Sequence, residues 1–300
     1  MHLTLRQLQC FSAVARNLSY TRAAEELHLT QPAVSMQIRQ LEQQAGLALT
    51  EQFGKQIHLT EAGTEVYRYA RSILQQVAEM DDVLDKLKGV AGGRLKIAAI
   101  SSANYFAPRL LGTFHQRFPE VSVSMDVTNQ KAVLKQIVEN EVDMAIMGQP
   151  PKDSQVEAIP FMENPLIIVA PPEHRLAKRK RIAQKELEKE VFLVREPGSG
   201  TRGAMERFFR EQKLKLTTGM GMGSLSSIKQ GVRAGLGLGL LPRNAVRVEL
   251  QIGHLVELKV KGLPIERQWF VVLHKGKRLS LAAEEFKSLL INEAVELLHA

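Results

Sequence analysis

Two sets of residues in this 300-residue chain are of the right types and spacing to do chemistry. The first is the loop Gly198-Ser199-Gly200-Thr201-Arg202. Two glycines let the backbone turn so that N–H groups point at one spot, and the hydroxyls and a guanidinium add donors. A helix opening there would contribute its positive end, so the loop reads as an anion site for carboxylate or phosphate. Ser101-Ser102-Ala103-Asn104, Thr128-Asn129-Gln130 and Ser224-Leu225-Ser226-Ser227 are similar turns. Each alone is also an ordinary helix cap. The second set lies on Gln31–Gly46, where Pro32, Ser35, Met36, Arg39, Gln40 and Gln43 share one face. Amide, hydroxyl and guanidinium groups with little acid suit the base edges of a major groove. A solvated polar face on a plain helical hairpin is the competing reading.

Carriers of catalysis are missing. The eight histidines form no HExxH and no Cys/His metal spacing, and there is no GxSxG elbow. GLGLG at 235–239 enters a strand rather than leaving one, so it is not a dinucleotide fingerprint. The sequence therefore predicts no enzyme, no metal and no cofactor. The single cysteine, Cys10, falls mid-helix and reads as a packed thiol.

The elements that must position these groups follow in chain order. Thr4–Arg16 reads as a helix, Ser19 as the cap of a second at Tyr20–Leu27, and Thr30 as the cap of a third. Val34, Ile38, Leu41 and Ala45 recur at helical spacing as its buried stripe. The shape is a helix-turn-helix. Leu47, Leu49, Ile57 and Leu59 flank a turn at Phe53-Gly54-Lys55, a two-stranded wing whose Lys55 could meet phosphate. From Thr60 a helix of roughly 40 Å runs to Lys88. Val66, Ala70, Ile73, Val77, Met80, Leu84 and Leu87 form a heptad seam along it, which predicts a homodimer and hence two recognition helices on a pseudo-palindromic site. Gly89–Gly93 reads as a hinge. Beyond Arg94, strands alternate with helices in a βαβαβ order that suggests a parallel sheet, and ligands of such sheets settle beyond the carboxyl ends of the strands.

The net charge of +8 is unevenly placed: residues 1–100 hold 11 Lys/Arg against 10 Asp/Glu, leaving +7 to the rest. Bulk charge is therefore no argument for DNA binding by the N-terminal part. No apolar run approaches a membrane span and no secretory signal is visible, which predicts a cytoplasmic protein without membrane contact.

Taken together, the motifs resemble the LysR-type transcriptional regulators. The N-terminal stretch LRQLQCFSAVARNLSYTRAAEELHLTQPAVSMQIRQLEQQAGLAL carries the resemblance, as do LTEAG, GRLKIAAI, ENEVDMAI and AGLGLGLLP, in the family's order along the whole chain. The resemblance implies an α plus α/β fold. A winged helix-turn-helix spans 1–59 and a dimerising linker helix spans 60–89. A periplasmic-binding-protein-like effector domain spans 90–300, with lobe I at about 92–163 and 267–300 and lobe II at about 164–266. It implies a homotetramer built as a dimer of dimers, operator DNA and RNA polymerase as partners, and an inducer between the lobes.

By position, Gln31, Pro32, Ser35, Met36 and Arg39 would face DNA; Ser19, Ala33 and Lys55 complete that set. Ser101, Ser102, Asn104, Asn129, Gln130, Gly198, Ser199, Gly200, Thr201 and Arg202 are the effector-site candidates. The family commonly has Phe and Arg where this chain has Thr50 and Gln52, so one phosphate contact of the wing is missing. ANYFAPRLL, EQFGKQIHLTEAG and VREPGSGTR further resemble regulators of Calvin-cycle (RuBisCO) operons. That implies an activator of carbon fixation answering to a phosphorylated metabolite or NADPH. A LysR-type regulator of another operon, a solute-binding protein and a Rossmann-type enzyme are the alternatives. The N-terminal 90 residues argue against the second, and the lack of a fingerprint argues against the third.

Overall fold

Capping chemistry sets the first helix, α1 (Leu5–Asn17). Thr4 accepts from the Gln7 amide at 3.2 Å while Gln7 accepts from the Thr4 amide at 3.0 Å, satisfying two orphan donors reciprocally. Ser19 caps α2 (Tyr20–Glu26), and Thr30 caps α3 (Gln31–Ala45), whose first turn holds Pro32. The left-handed Gly46 ends α3. Val34, Ile38 and Leu41 of α3 are buried with Phe11, Val14, Ala23, Ala24 and Leu49; Ala45, expected in the same stripe, is half-buried. A fully buried side chain such as Phe11 or Ile38 contributes roughly 1.5–3 kcal/mol. Cys10 lies in this core, and burial pushes its thiol up from the ordinary 9.0, away from reactivity. Strands β1 (Thr50–Phe53) and β2 (Gln56–Leu59) pair antiparallel, Thr50 opposite Leu59, as the expected wing. The long helix α4 follows (Glu61–Leu87).

This computed structural model describes residues 3–54, 56–87, 92–150 and 155–299, with backbone alone at 79, 82, 83, 85–87 and 299. Lys55, the side chain of Leu87 and hinge positions 89–91 lie outside the described residues. The chain divides into two units, Met1–Val90 and Ala91–Ala300.

The second unit holds two five-stranded sheets. The first is built from β3 (Gly93–Ile100), β4 (Val121–Thr128), β5 (Met144–Met147), β6 (Val156–Glu163) and a late strand, β12 (Gln268–His274), in the order β4-β3-β5-β12-β6. The second contains β7 (Leu166–Ala170), β8 (Val191–Arg195), β9 (Thr217–Met222), β10 (Leu238–Pro242) and β11 (Val256–Glu257), in the order β11-β7-β10-β8-β9. The three strands of the expected βαβαβ run are parallel, but neither complete sheet is, because other strands join each of them antiparallel. β3 runs parallel to β4 and β5, but β12 is antiparallel to both its neighbours. In the other sheet, β8 is parallel to β9 and β10, while β7 is antiparallel to β10 and β11. The chain leaves the first lobe after β6 and returns through β12, and those two passages add the antiparallel strands.

Helices cover both faces of each sheet. α5 (Ala107–Arg117), α10 (Leu281–Asn292) and α11 (Ala294–His299) pack on one face of the first sheet, around Phe114, Trp269 and Phe286. α6 (Gln130–Val138) covers the other face through Val133 and Ile137. In the second lobe, α7 (Gly200–Glu211) packs Met205, Phe208 and Phe209 on one face, and α8 (Leu225–Arg233) packs Ile228 and Val232 on the other. The single closing helix expected at 281–298 is broken at Glu293, where Arg117 binds the carboxylate with two guanidinium nitrogens at 2.8 and 2.6 Å. A short α9 (Arg247–Gln251) completes the set.

Candidate DNA-reading head and effector cleft

In the first unit, the stripe that buries Val34, Ile38 and Leu41 leaves the other side of α3 to solvent. Gln31, Pro32, Met36 and Arg39 are exposed, with Ala33 and Ser35 half-buried beside them. Gln40 and Gln43 extend the exposed face. Ser19 accepts from the Arg22 amide at 3.3 Å, so its oxygen is already engaged as a cap while its O–H stays free to donate. Arg39→Ala is expected to weaken specific operator binding by about 1–3 kcal/mol, read by gel shift against a mismatched competitor. Equal loss on specific and random DNA would make Arg39 a phosphate contact instead.

A residue not singled out from the sequence ties this face to the wing. Glu42 Oε1 accepts from the amides of Leu49 (2.8 Å) and Thr50 (3.1 Å). Tyr20 meets the Thr50 hydroxyl at 3.0 Å, and burial raises its phenol above the ordinary 10.0. At the wing tip, Gln52 donates to the Gly54 carbonyl at 2.9 Å, so the position of the family's arginine closes the turn.

The seam of α4 is used in two ways. Ala70 is fully buried and Val66 packs against the head core, inside the unit. Ile73, Met80 and Leu84 are exposed, and Val77 is half-buried. The heptad pattern thus serves the head for its first two positions and leaves an apolar stripe at Ile73, Val77, Met80 and Leu84.

In the second unit, a cleft opens between the two lobes at the carboxyl ends of the parallel strands. Ser101, Ser102, Asn129, Gln130, Ser199, Gly200 and Thr201 all line it. Asn129 Oδ1 caps α6 by accepting from Ala132 at 3.0 Å, and α7 starts at Gly200 with no side-chain cap, so Ser199 keeps its hydroxyl unspent. The positive ends of α6 and α7 therefore face each other across the cleft. Its free volume is about 30 Å³, room for one water rather than a metabolite.

Three expected residues are elsewhere. Asn104 is exposed on the short helical turn after β3 and does not line the cleft. Gly198 and Arg202 line a neighbouring groove of about 800 Å³ with Lys131 and Glu206. Arg202 is drawn there by its own helix: its Nε binds Glu206 one turn on, at 2.8 Å, and its Nη1 binds the Arg195 carbonyl at 3.0 Å. The Ser224 turn does not line the cleft either; Ser224 caps α8, and Ser226 meets the Tyr105 hydroxyl at 2.9 Å.

The cleft's cations are instead Arg195 and Arg267, with Asn164 beside them. Arg195, only 5% exposed, holds Glu196 in a two-pronged pair at 2.6 Å on both arms and donates to Ser101 across the lobes at 3.2 Å. Burial pushes the Glu196 carboxyl up, but the Arg195 bonds outweigh it and hold the group below the ordinary 4.5. A lysine or arginine ending a strand gives no sequence signal that separates a cleft wall from a surface. Among the described residues, no cluster of His, Cys, Asp or Glu could hold a metal ion, and no helix is long and apolar enough to cross a membrane.

Comparison with known proteins adds to this geometry. A profile of the bacterial regulatory helix-turn-helix protein, lysR family, matches residues 5–64, and one of the LysR substrate binding domain matches residues 88–294. The RuBisCO operon transcriptional regulator of Allochromatium vinosum is 50% identical over 297 residues, 99% of this chain and 98% of the relative. The HTH-type transcriptional activator CmpR of Synechocystis is 40% identical over 296 residues, covering 98% and 97%. Among solved structures, the Synechocystis CcmR regulatory domain in complex with 2-PG superposes with a TM-score of 0.64 at 36% identity, covering 66% of this chain and 96% of that one.

Proposed function

From the premise that this chain belongs to the LysR family of bacterial transcriptional regulators, we propose that it activates a RuBisCO operon under control of a small anion bound between its effector lobes. The observation that carries the anion is the convergence of two helix N-termini, from α6 and α7, on the hydroxyls of Ser101, Ser102, Ser199 and Thr201. Backbone donors at both ends suit an oxyanion with several acceptor oxygens. A phosphorylated carboxylate of the kind named for the CcmR domain fits this better than NADPH, whose bulk the cleft would have to open far to admit. Ligand entry requires the lobes to part, and their reclosure on the anion is the conformational signal.

The apolar stripe of exposed Ile73, Met80 and Leu84 with half-buried Val77 supports a helix-paired homodimer, which sets two reading heads on one operator. Tetramer assembly, contact with RNA polymerase and action in the cytoplasm complete the reading. Fluorescence titration of the full chain with 2-PG, followed by footprinting on the promoter of its target operon with and without it, tests this. Saturable binding with an altered footprint is the expected result. A footprint that never changes while the anion binds would sink the regulatory role.

A further inference from the structure

Asn164 and Arg267 sit on the two segments that carry the chain out of the first lobe and back, and the Asn164 amide donates to the Arg267 carbonyl at 2.7 Å. Asn164 is 3% exposed, and its Oδ1 has no hydrogen-bond partner. Arg267 gives one Nη1 bond to the Gly200 carbonyl, at 3.3 Å, while its Nε is closed off from solvent without a partner. Among the described residues no carboxylate forms an ion pair with it, although Glu163, Glu211 and Glu266 line the groove on its other side. Burial, with Arg207 nearby, pulls its guanidinium down to about 10, still charged at neutral pH. Both side chains pack over Gly148, where a Cβ would lie 2.8 Å from Arg267 Nη2 and 2.9 Å from Asn164 Nδ2. Two nitrogens from the two connecting segments thus converge over one bare backbone position.

The other cleft arginine is already neutralised, since Arg195 is committed to Glu196. The cleft therefore carries one surplus cation, and it sits at the pivot rather than on the glycine loop. We propose that Arg267, steadied by Asn164 over Gly148, supplies the counter-charge for the effector's anionic group, and that the ligand-free regulator holds this cation uncompensated until the anion arrives. The inference rests on the cleft being the effector site. It narrows the ligand to an acid whose oxygens can take a planar fork, a carboxylate or a phosphate monoester, and excludes neutral and cationic metabolites. It also places the pull of the ligand on the segments that join the lobes.

The test is Arg267→Met in the full chain, titrated with the anion probe used above and with inorganic phosphate. Removing an uncompensated buried cation relieves the ligand-free state, so its melting temperature is expected to rise by about 2–4 °C. Anion affinity is expected to fall at least about tenfold. Gly148→Ala keeps the charge but displaces both side chains, and should weaken anion binding without raising the melting temperature. Wild-type affinity in Arg267→Met, or weak binding with a lowered melting temperature, overturns the assignment. If Arg267→Met does not fold, unchanged affinity in Gly148→Ala overturns it alone. A wild-type chain that binds no anion is a distinct result, which removes the reading of the cleft itself.

Discussion

Gly63→Ala is expected to cost about 3 kcal/mol or more and to abolish operator binding. A Cβ at position 63 would lie 1.9 Å from the Leu49 carbonyl oxygen and 2.9 Å from its carbon. These are backbone atoms, so no rotamer change relieves the overlap. The same carbonyl accepts from the Thr60 amide at 3.1 Å, and Thr60 further binds the Ala48 carbonyl at 2.7 Å and accepts from the Gly63 amide at 2.9 Å. Seating α4 against the start of the wing therefore depends on a missing side chain. Urea unfolding followed by far-UV circular dichroism, with gel shift on the operator, measures both effects. A variant within 1 kcal/mol of wild type would show that the helix start can slide without consequence.

Glu196→Gln is the second large effect, expected to cost roughly 2–3 kcal/mol. Breaking a fully buried ion pair by removing one partner typically costs about 3–5 kcal/mol, and here solvent that reaches Glu196 screens part of that cost. Its side chain is 36% exposed against 5% for Arg195. The substitution keeps the shape but leaves the buried guanidinium without a counter-ion. Its pH dependence identifies the cause. The folded carboxyl titrates below its unfolded value of 4.5, so its stabilisation is fully present above 4.5 and is lost as pH falls through the depressed value. The melting-temperature gap between wild type and Glu196→Gln should then be widest near neutrality and shrink below pH 4.5. A gap independent of pH would point to packing rather than charge.

The reading head was largely legible because its information is local. Caps at Thr4, Ser19 and Thr30 and the stripe Val34, Ile38, Leu41 lie within one or two helical turns of what they govern. The cleft was legible only where helix starts announce themselves, as at Ser199-Gly200-Thr201 and Asn129. Arg267 and Asn164 were invisible because they meet only where the two segments that join the lobes run side by side, and those segments carry no pattern of their own. Arg202 shows the opposite: an arginine in a glycine loop looks like a ligand-binding donor, and here Glu206 four residues on engages its Nε while the side chain lines the neighbouring groove. The edge strand Thr217–Met222, TTGMGM, has no apolar alternation to reveal it, and its partner β8 supplies the pairing. The heptad seam was visible in full, but its division between the head core and an exposed stripe depends on where α1 packs.

Glu42 joins the recognition helix to the wing through the Leu49 and Thr50 amides. In a head so joined, the entropy of ordering the wing is lost during folding, before any DNA is met. Association then begins from a rigid, two-point template rather than a helix trailing a loose hairpin. That matters for a segment whose first hundred residues carry a net charge of only +1. With so little net positive charge, such a head gains little long-range attraction to DNA, and its affinity should depend steeply on how far apart the two half-sites lie.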